Sequence, residues 1–360
     1  MLGREMGGLA EQIGLVSGGR RFAWAIPENM RYFNLLTSIL ACGLIGAPAI
    51  AAAAPFGEVP AKVLAKNGAT AVAFSTDGAT LYAWLNGGLA HLDGTTGLLR
   101  KHQAAPRTAT QLVLLAESGR LVATTEANSV LDPAKGTSQP APAWEIVAAC
   151  RAPSSDVFGV QFPTGKVGSI QRVDAKTAAA GRQVFTYPLD NGKVPAQLLP
   201  DPACTRLALF FGTEPKKEVI AIYDIATGKP TRQIKHDATI GAVSWSADGK
   251  QLLIGDSKGR LVFVDATSGR VAHTAQVATG LVTPLLPVAD GSLVVAGSTG
   301  AKSLLRVLDA KTGALVQELP KAGCTQLVDV AVSPRGDRIG VACMRMTDIG
   351  EGTAVLLFGR

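Results

Sequence analysis

Two turn patterns recur along this chain, and their spacing limits what it can fold into. The first is a polar turn between two short apolar runs. It stands at Asp77-Gly78, Glu117-Ser118-Gly119, Ser155-Asp156, Asp201-Pro202, Asp248-Gly249, Asp290-Gly291 and Arg335-Gly336-Asp337. The second is an apolar residue, then Asp, then a short loop ending in Gly. It reads Leu92-Asp93 to Gly97, Leu131-Asp132 to Gly136, Val173-Asp174 to Gly181, Tyr223-Asp224 to Gly228, Val264-Asp265 to Gly269 and Leu308-Asp309 to Gly313. Copies lie roughly 38–50 residues apart, the length of one four-stranded propeller blade. The residue types have a local reason. An Asp carboxylate accepts hydrogen bonds from backbone N–H groups just ahead of it, and Gly takes the positive φ that closes the turn. Asp93, Asp132, Asp174, Asp224, Asp265 and Asp309 are therefore read as structural turn aspartates.

The stretch from Ile240 to Val277 shows one unit most clearly. Val243 and Trp245 alternate with Ala242, Ser244 and Ser246, the period-2 pattern of a half-buried strand. Leu252 to Ile254, Leu261 to Val264 and Val271 to Val277 supply three more strands, separated by turns at Ser257 to Gly259 and Asp265 to Gly269. Such a meander cannot bury both faces alone. The pattern predicts an all-β fold, a seven-bladed β-propeller of four-stranded blades. The blades run over about 67–107, 108–143, 144–192, 193–236, 237–277, 278–320 and 321–360, on the repeat spacing above. Extra residues in the third are placed around Lys176 to Gln183. The seventh unit has three strands, Leu327 to Val332, Arg338 to Met344 and Thr353 to Phe358. Glu58 to Lys66 offers the missing fourth from the other end of the chain, and pairing the two ends would close the ring.

These units resemble the WD40-like and quinoprotein-like (YVTN-type) β-propellers of bacterial envelopes, over about residues 57–360. His236, the run from Val243 to Gly249, and Val264-Asp265 in place of a Trp-Asp pair carry the WD40 resemblance, and the Asp-Ala-x-x-Gly turns at 265–269 and 309–313 look equally like quinoprotein or YVTN-type propellers. The Trp of that pair is Leu, Val or Tyr in all six copies. The acidic member of the family's His–Asp–Ser–Trp network has no clear counterpart in the fifth unit, where Lys258 stands near its place and Asp256 two positions earlier. Blades held by apolar packing rather than by that network are the expectation.

The N-terminus reads as an address. Met30-Arg31, an apolar run and the small residues Ala49 to Ala54 have the layout of a secretory signal peptide. The expected organisation is a non-native extension over 1–29, with Met30 as initiator, a signal peptide over 30–53, and the propeller over 54–360. A lipidated Cys42, a twin-arginine signal at Arg20-Arg21 and an uncleaved anchor are the weaker readings. The expected compartment is the periplasm. Cys150, Cys204, Cys324 and Cys343 then remain, an even number in an exported chain. Cys150 and Cys204 fall on one rim of neighbouring blades, and Cys324 and Cys343 at the opposite rim of the last. Pairs Cys150–Cys204 and Cys324–Cys343 are expected, with buried free thiols as the alternative.

No pattern points to catalysis, a metal or a cofactor. His91, His102, His236 and His273 have no second ligand at metal spacing and read as surface or turn histidines. No Cys-x-x-Cys-His, phosphate loop or dinucleotide turn occurs. Gly255 to Gly259 matches Gly-x-Ser-x-Gly, but a strand rather than a helix follows Ser257, so a hairpin turn is expected. Asp156, Asp201, Asp290 and Arg335 share one rim, where any propeller carries polar turns. The chain's net charge of +7 is spread out, without the basic stripe and stacking aromatics of a nucleic-acid surface. The leading functional reading is a monomeric, non-enzymatic protein-binding or scaffold module. The alternatives are a lactonase or quinoprotein-like propeller enzyme, and an accessory factor of outer-membrane protein assembly.

Overall fold

A computed structural model of the chain describes residues 55–63, 69–85, 87–104, 109–124, 128–142, 144–150, 154–161, 167–188, 195–212, 218–298, 305–320, 323–347 and 350–360. The expected extension, signal peptide, Cys42 and cleavage sites lie outside the described residues.

The chain enters through β1 (Gly57–Val63). The first blade is β2 (Ala71–Phe74), β3 (Thr80–Leu85), β4 (Gly88–Asp93) and β5 (Leu99–Ala104). The second is β6 (Gln111–Leu115), β7 (Arg120–Thr124), β8 (Ser129–Asp132) and β9 (Thr137–Pro140). The third is β10 (Trp144–Ala149), β11 (Val157–Gln161), β12 (Val167–Val173) and β13 (Ala180–Pro188). The fourth is β14 (Gln197–Pro200), β15 (Arg206–Phe211), β16 (Val219–Asp224) and β17 (Pro230–Lys235). The fifth is β18 (Ile240–Trp245), β19 (Gln251–Asp256), β20 (Arg260–Asp265) and β21 (Val271–Gln276). The sixth is β22 (Val282–Pro287), β23 (Leu293–Ser298), β24 (Leu305–Asp309) and β25 (Leu315–Leu319). The seventh takes β26 (Cys324–Val332), β27 (Arg338–Thr347) and β28 (Gly350–Gly359) and completes itself with β1, in the order β1-β28-β27-β26. Every strand pair is antiparallel, and the fold is a seven-bladed β-propeller.

Packing explains why the blades need one another. Among the described residues the buried apolar side chains form seven clusters, and each lies in a seam between consecutive blades. Phe158, Ile170 and Tyr187 of the third blade meet Leu198, Leu207 and Leu209 of the fourth. Val72, Phe74 and Leu81 of the first meet Ala331, Ala342 and Val355 of the seventh. The innermost strands are apolar on both sides, and β18 is buried along its whole length. The outer strands are largely exposed, as in β5 and β17.

The ring closes by pairing ends. In β1, Gly57, Glu58 and Val59 register with Gly359, Phe358 and Leu357 of β28, and Val63 with Val355 past an irregularity. Phe56 is buried in the seam between the sixth and seventh blades. Its N–H donates to Gln317 Oε1 at 2.8 Å, and the Arg360 guanidinium lies 5.0 Å from its ring centre.

The two turn patterns meet on one rim. First-to-second and third-to-fourth turns of a blade lie at the same end, and backbone bonds join them. The residue after the turn Asp donates its N–H to the first turn, from Gly94 to Ala79, Ile225 to Thr205, Ala266 to Lys250 and Ala310 to Ser292, at 2.8–2.9 Å. The third blade departs from the expected form. Its Asp174 turn closes at Ala178, not Gly181, with Ala178 at φ 54° in the left-handed region. Its turn is therefore no longer than the others. The extra residues lie in the long strands β12 and β13, and β13, with its two register shifts, begins at Ala180, so the expected span Lys176 to Gln183 holds part of them but the turn itself none.

Without β1 the edge of β28 is open, and an open apolar edge invites association. A chain lacking residues 55–63 is expected to melt at lower temperature and to self-associate, read by circular dichroism and light scattering. An unchanged melting temperature would show that the ring holds without its closing strand.

Candidate functional site

The polar groups divide into three sets. The first is the rim of turn aspartates. Asp93 Oδ1 accepts from Thr95 and Thr96 N–H at 2.8 and 2.7 Å, and these bonds hold its pKa at about 2. Asp174, Asp224, Asp265 and Asp309 each accept a backbone N–H and a hydroxyl from the residue three positions on, and all are held below the usual carboxylate range. Asp132 accepts from Lys135 N–H at 3.0 Å. The other rim acids are engaged too. Asp201 accepts from Thr205 and Arg206 N–H and from Arg206 Nε at 2.7–2.9 Å, Asp156 pairs with Arg172, and Asp290 accepts from Ser292 and Arg360. Arg335 is exposed.

The second set occupies the opposite rim of the fifth blade, where the loop from β17 to β18 meets the turn from β19 to β20. His236 Nε2 lies 3.0 Å from Asp256 Oδ2. A carboxylate only accepts, so Nε2 carries the proton of that bond. Asp256 is fully buried. Its Oδ1 accepts from Lys258 and Arg260 N–H at 2.9 and 3.0 Å, and its Oδ2 from Arg260 Nε at 2.7 Å. Burial alone would raise its pKa; the hydrogen bonds from Arg260 and His236 outweigh burial and lower it. Asp237 joins from outside, bonded to Lys258 Nζ at 2.8 Å and Arg260 Nη2 at 2.5 Å, and these two cations hold its carboxyl well below the usual range.

This corrects two expectations. The fifth unit does contain an acidic partner for His236, and it is Asp256. His236 is not a surface histidine either, since its side chain is 7% exposed. His91 is also buried, in the seam between the first and second blades. His102 is exposed, and the exposed His273 has its Nε2 2.8 Å from Thr312 O.

His236, Asp237 and Asp256 bring one ligand atom each within 4.8 Å of one another. The oxygens are already taken by Arg260 and Lys258, so a divalent ion would have to displace a buried guanidinium bond. The set is a charge-balanced brace between loop and turn. Ser257 sits in the tight turn between β19 and β20, with no helix after it.

The third set was not foreseen from the sequence. Asp329 and Glu218 are buried acids, and no ion pair among the described residues reaches either. Asp329 Oδ2 accepts from Val72 N–H at 2.8 Å across the seam where the ring closes, and its Oδ1 from Val330 N–H. Glu218 accepts from Ile240 N–H, which opens the innermost strand of the next blade. Burial pushes both carboxyls up to about 7, against those hydrogen bonds. The signal was present as a charge beside or inside an apolar run, Leu327-Val328-Asp329-Val330 and Glu218-Val219-Ile220.

The cysteines meet in two pairs. Cys150, just after β10, is joined to Cys204 in the turn from β14 to β15, with Cα atoms 5.6 Å apart. Cys324 of β26 is joined to Cys343 of β27 at a Cα separation of 5.8 Å.

Residues 217–286 match the family model described as the anaphase-promoting complex subunit 4 WD40 domain. The match spans β16 to β22 and so contains the whole fifth blade with its His236–Asp256 brace. No curated protein matches the chain. The fold is a seven-bladed propeller, and its residues 217–286 are similar to a WD40 domain.

Two predictions follow from the buried acids. Asp256→Ala strands the Arg260 guanidinium and two backbone N–H groups, and is expected to cost about 3 kcal/mol in urea denaturation. A loss below about 1 kcal/mol would equate the brace with an exposed ion pair. Asp329 has a folded pKa raised above its unfolded value. Its contribution is fully present below the unfolded value and is lost as pH rises through about 7. Asp329→Asn is therefore expected to gain stability relative to the wild type between pH 5 and pH 8. Parallel curves for the two proteins over that range would rule this out.

Proposed function

We propose that this protein is an exported, non-enzymatic recognition module, working as a monomer in the periplasm to hold a protein partner at one rim. The observation that carries the reading is the state of the rim carboxylates. Those of the turns are bonded to their own backbone, and those of the fifth blade are balanced by Arg260 and Lys258. They brace the ring rather than converge on a reacting centre. A rigid closed ring with exposed polar side chains such as Lys258 and Asp237 at its rim is suited to recognition. WD40-type similarity over the fifth blade supports the same reading. Export is supported by the signal-like pattern over residues 30–53 and by the two cysteine pairs held within disulfide reach.

The test is to express tagged protein from Met30 in its native host, cross-link the envelope mildly and purify from the periplasmic fraction. One stoichiometric partner is expected, and a non-reducing mass map is expected to show two disulfides. Protein confined to the cytosol with four free thiols would overturn export. A tightly bound metal or quinone with substrate turnover would overturn the non-enzymatic role.

A further inference from the structure

Six large apolar side chains are exposed among the described residues, and five of them share the rim of the turn aspartates. Leu98 and Leu99 are 61% and 58% exposed, Val271 61%, Leu315 55% and Val316 56%. All five stand where an outer strand leaves its third-to-fourth turn. Leu98 and Leu99 lead into β5, Val271 opens β21, and Leu315 and Val316 open β25. Leu99, Val271 and Leu315 occupy one position of the repeat, six residues after Asp93, Asp265 and Asp309. In the second, third and fourth blades that position is Ser138, Ala180 and Pro230. The sixth exposed residue, Val167, opens β12 at the opposite rim.

The apolar tips lie on one arc of the ring. Seam clusters join the fifth, sixth, seventh and first blades in that order. The seventh blade, within this arc, is where the chain enters. Gly57 registers with Gly359, and the next residue, Arg360, donates its N–H to Asp337 O of the first turn at 3.1 Å, so β1 begins at this same rim. Gln317 of β25 clasps the entering chain. Its Oε1 accepts from Phe56 N–H at 2.8 Å and its Nε2 donates to Phe56 O at 2.5 Å. Pro55, just before, is exposed. The residues leading to it, Leu35 to Ala54, are 20 without a charge, a run of the length that takes a chain to a bilayer. Cations flank the arc. Arg100 follows Leu99, Arg270 precedes Val271, Lys311 stands four residues before Leu315, and Arg335 is in the first turn of the seventh blade; all four are exposed. The nearby Asp93, Asp265 and Asp309 are bonded to their own turns.

Exposed apolar side chains gathered in one region mark an interaction surface. Here they stand at the tips of separate blades, with the seventh blade between two of them. A fluid interface accepts such separated side chains one by one, and anionic headgroups match the adjoining Arg and Lys. We propose that this arc seats the propeller on an anionic lipid bilayer, with Leu98, Leu99, Val271, Leu315 and Val316 entering the headgroup region. Arg100, Arg270 and Lys311 then meet the phosphates. The inference goes beyond the recognition role above and does not rest on it. The opposite rim, with Lys258 and Asp237, faces away from the membrane and stays open to a protein partner.

The test uses the chain from Pro55 to Arg360, which contains the closed ring and all seven seam clusters and lacks the uncharged run. It is expected to float with vesicles of phosphatidylethanolamine and phosphatidylglycerol. Changing all five apolar residues to Ser is expected to lower the partition coefficient at least about tenfold. Leu98→Ser with Leu99→Ser, and Leu315→Ser with Val316→Ser, serve as separate variants if the fivefold change lowers the melting temperature. No flotation of the unaltered chain, or equal flotation of the Ser variants, would overturn the proposal. Orientation is read by fluorescence. Val271→Trp and Leu315→Trp are expected to shift their emission to the blue on adding vesicles, and Val167→Trp is not. A shift confined to Val167→Trp would place the other rim on the bilayer and sink the assignment. Self-association abolished by the Ser changes, without vesicle binding, would give the arc to a second copy of the chain instead.

Discussion

Neither face of any blade can be left to water, and that constraint organises the molecule. Each sheet presents apolar side chains on both sides along its inner strands. Each therefore needs a neighbour on both sides, and only a closed ring gives every blade two neighbours. The seven apolar clusters, one to a seam, are the direct expression of this requirement. Closure in turn explains why the strand before the first full blade belongs to the last. The outer strands remain as edges, and these are short and carry charge, as in Arg100-Lys101 of β5 and Arg232 with Lys235 of β17. That chemistry resists pairing with other chains.

Apolar seams still have to satisfy backbone groups, because each innermost strand has a partner strand on one side only. Neighbouring blades supply side chains for the task. Gln197 of the fourth blade accepts from Val243 N–H at 3.1 Å, and Asp329 of the seventh accepts from Val72 N–H in the same manner. A carboxyl whose pKa is raised to about 7 is partly neutral at physiological pH, and in that form it resembles the amide of Gln197. The two seams thus solve one problem with related groups, but only the acid ties its seam to pH. Glu218 repeats the device where the fourth blade meets the fifth.

The architecture was legible because its signals are local and repeated. Asp-to-Gly turns, alternating strands and the unmatched strand at the N-terminal end each report on a few neighbouring residues, and seven repetitions make the pattern hard to mistake. The rim network was not legible, because its parts are separated in sequence. His236 and Asp256 lie 20 residues apart and meet only when the loop before β18 folds over the turn after β19. Counting positions along one turn pointed to Lys258, whereas Asp256 is the residue directed inward. Ala178 misled for a related reason. Gly marks a positive φ in the other Asp turns, but here Ala adopts it. Its carbonyl accepts from Trp144 Nε1 and its N–H donates to Asp174 O, and these contacts hold a backbone that Ala alone disfavours. Tertiary bonds replaced the local signal.

These replacements indicate where such a ring can change. The seams fix side-chain volume on both faces of every blade and leave little freedom. The rims are held by different devices: on one rim an Asp–Gly turn in most blades and an Asp–Ala turn braced by Trp144 in the third, and on the opposite rim a His–Asp–Arg set in the fifth. The segment matching the WD40 family model is the one that carries the last of these, while the remaining blades keep the same strand order around different rim residues. Seam packing therefore carries the fold, and rim composition is free to diverge under it. Recognition placed on a rim can then alter without disturbing the core. This is the physical reason a propeller serves many partners with one architecture.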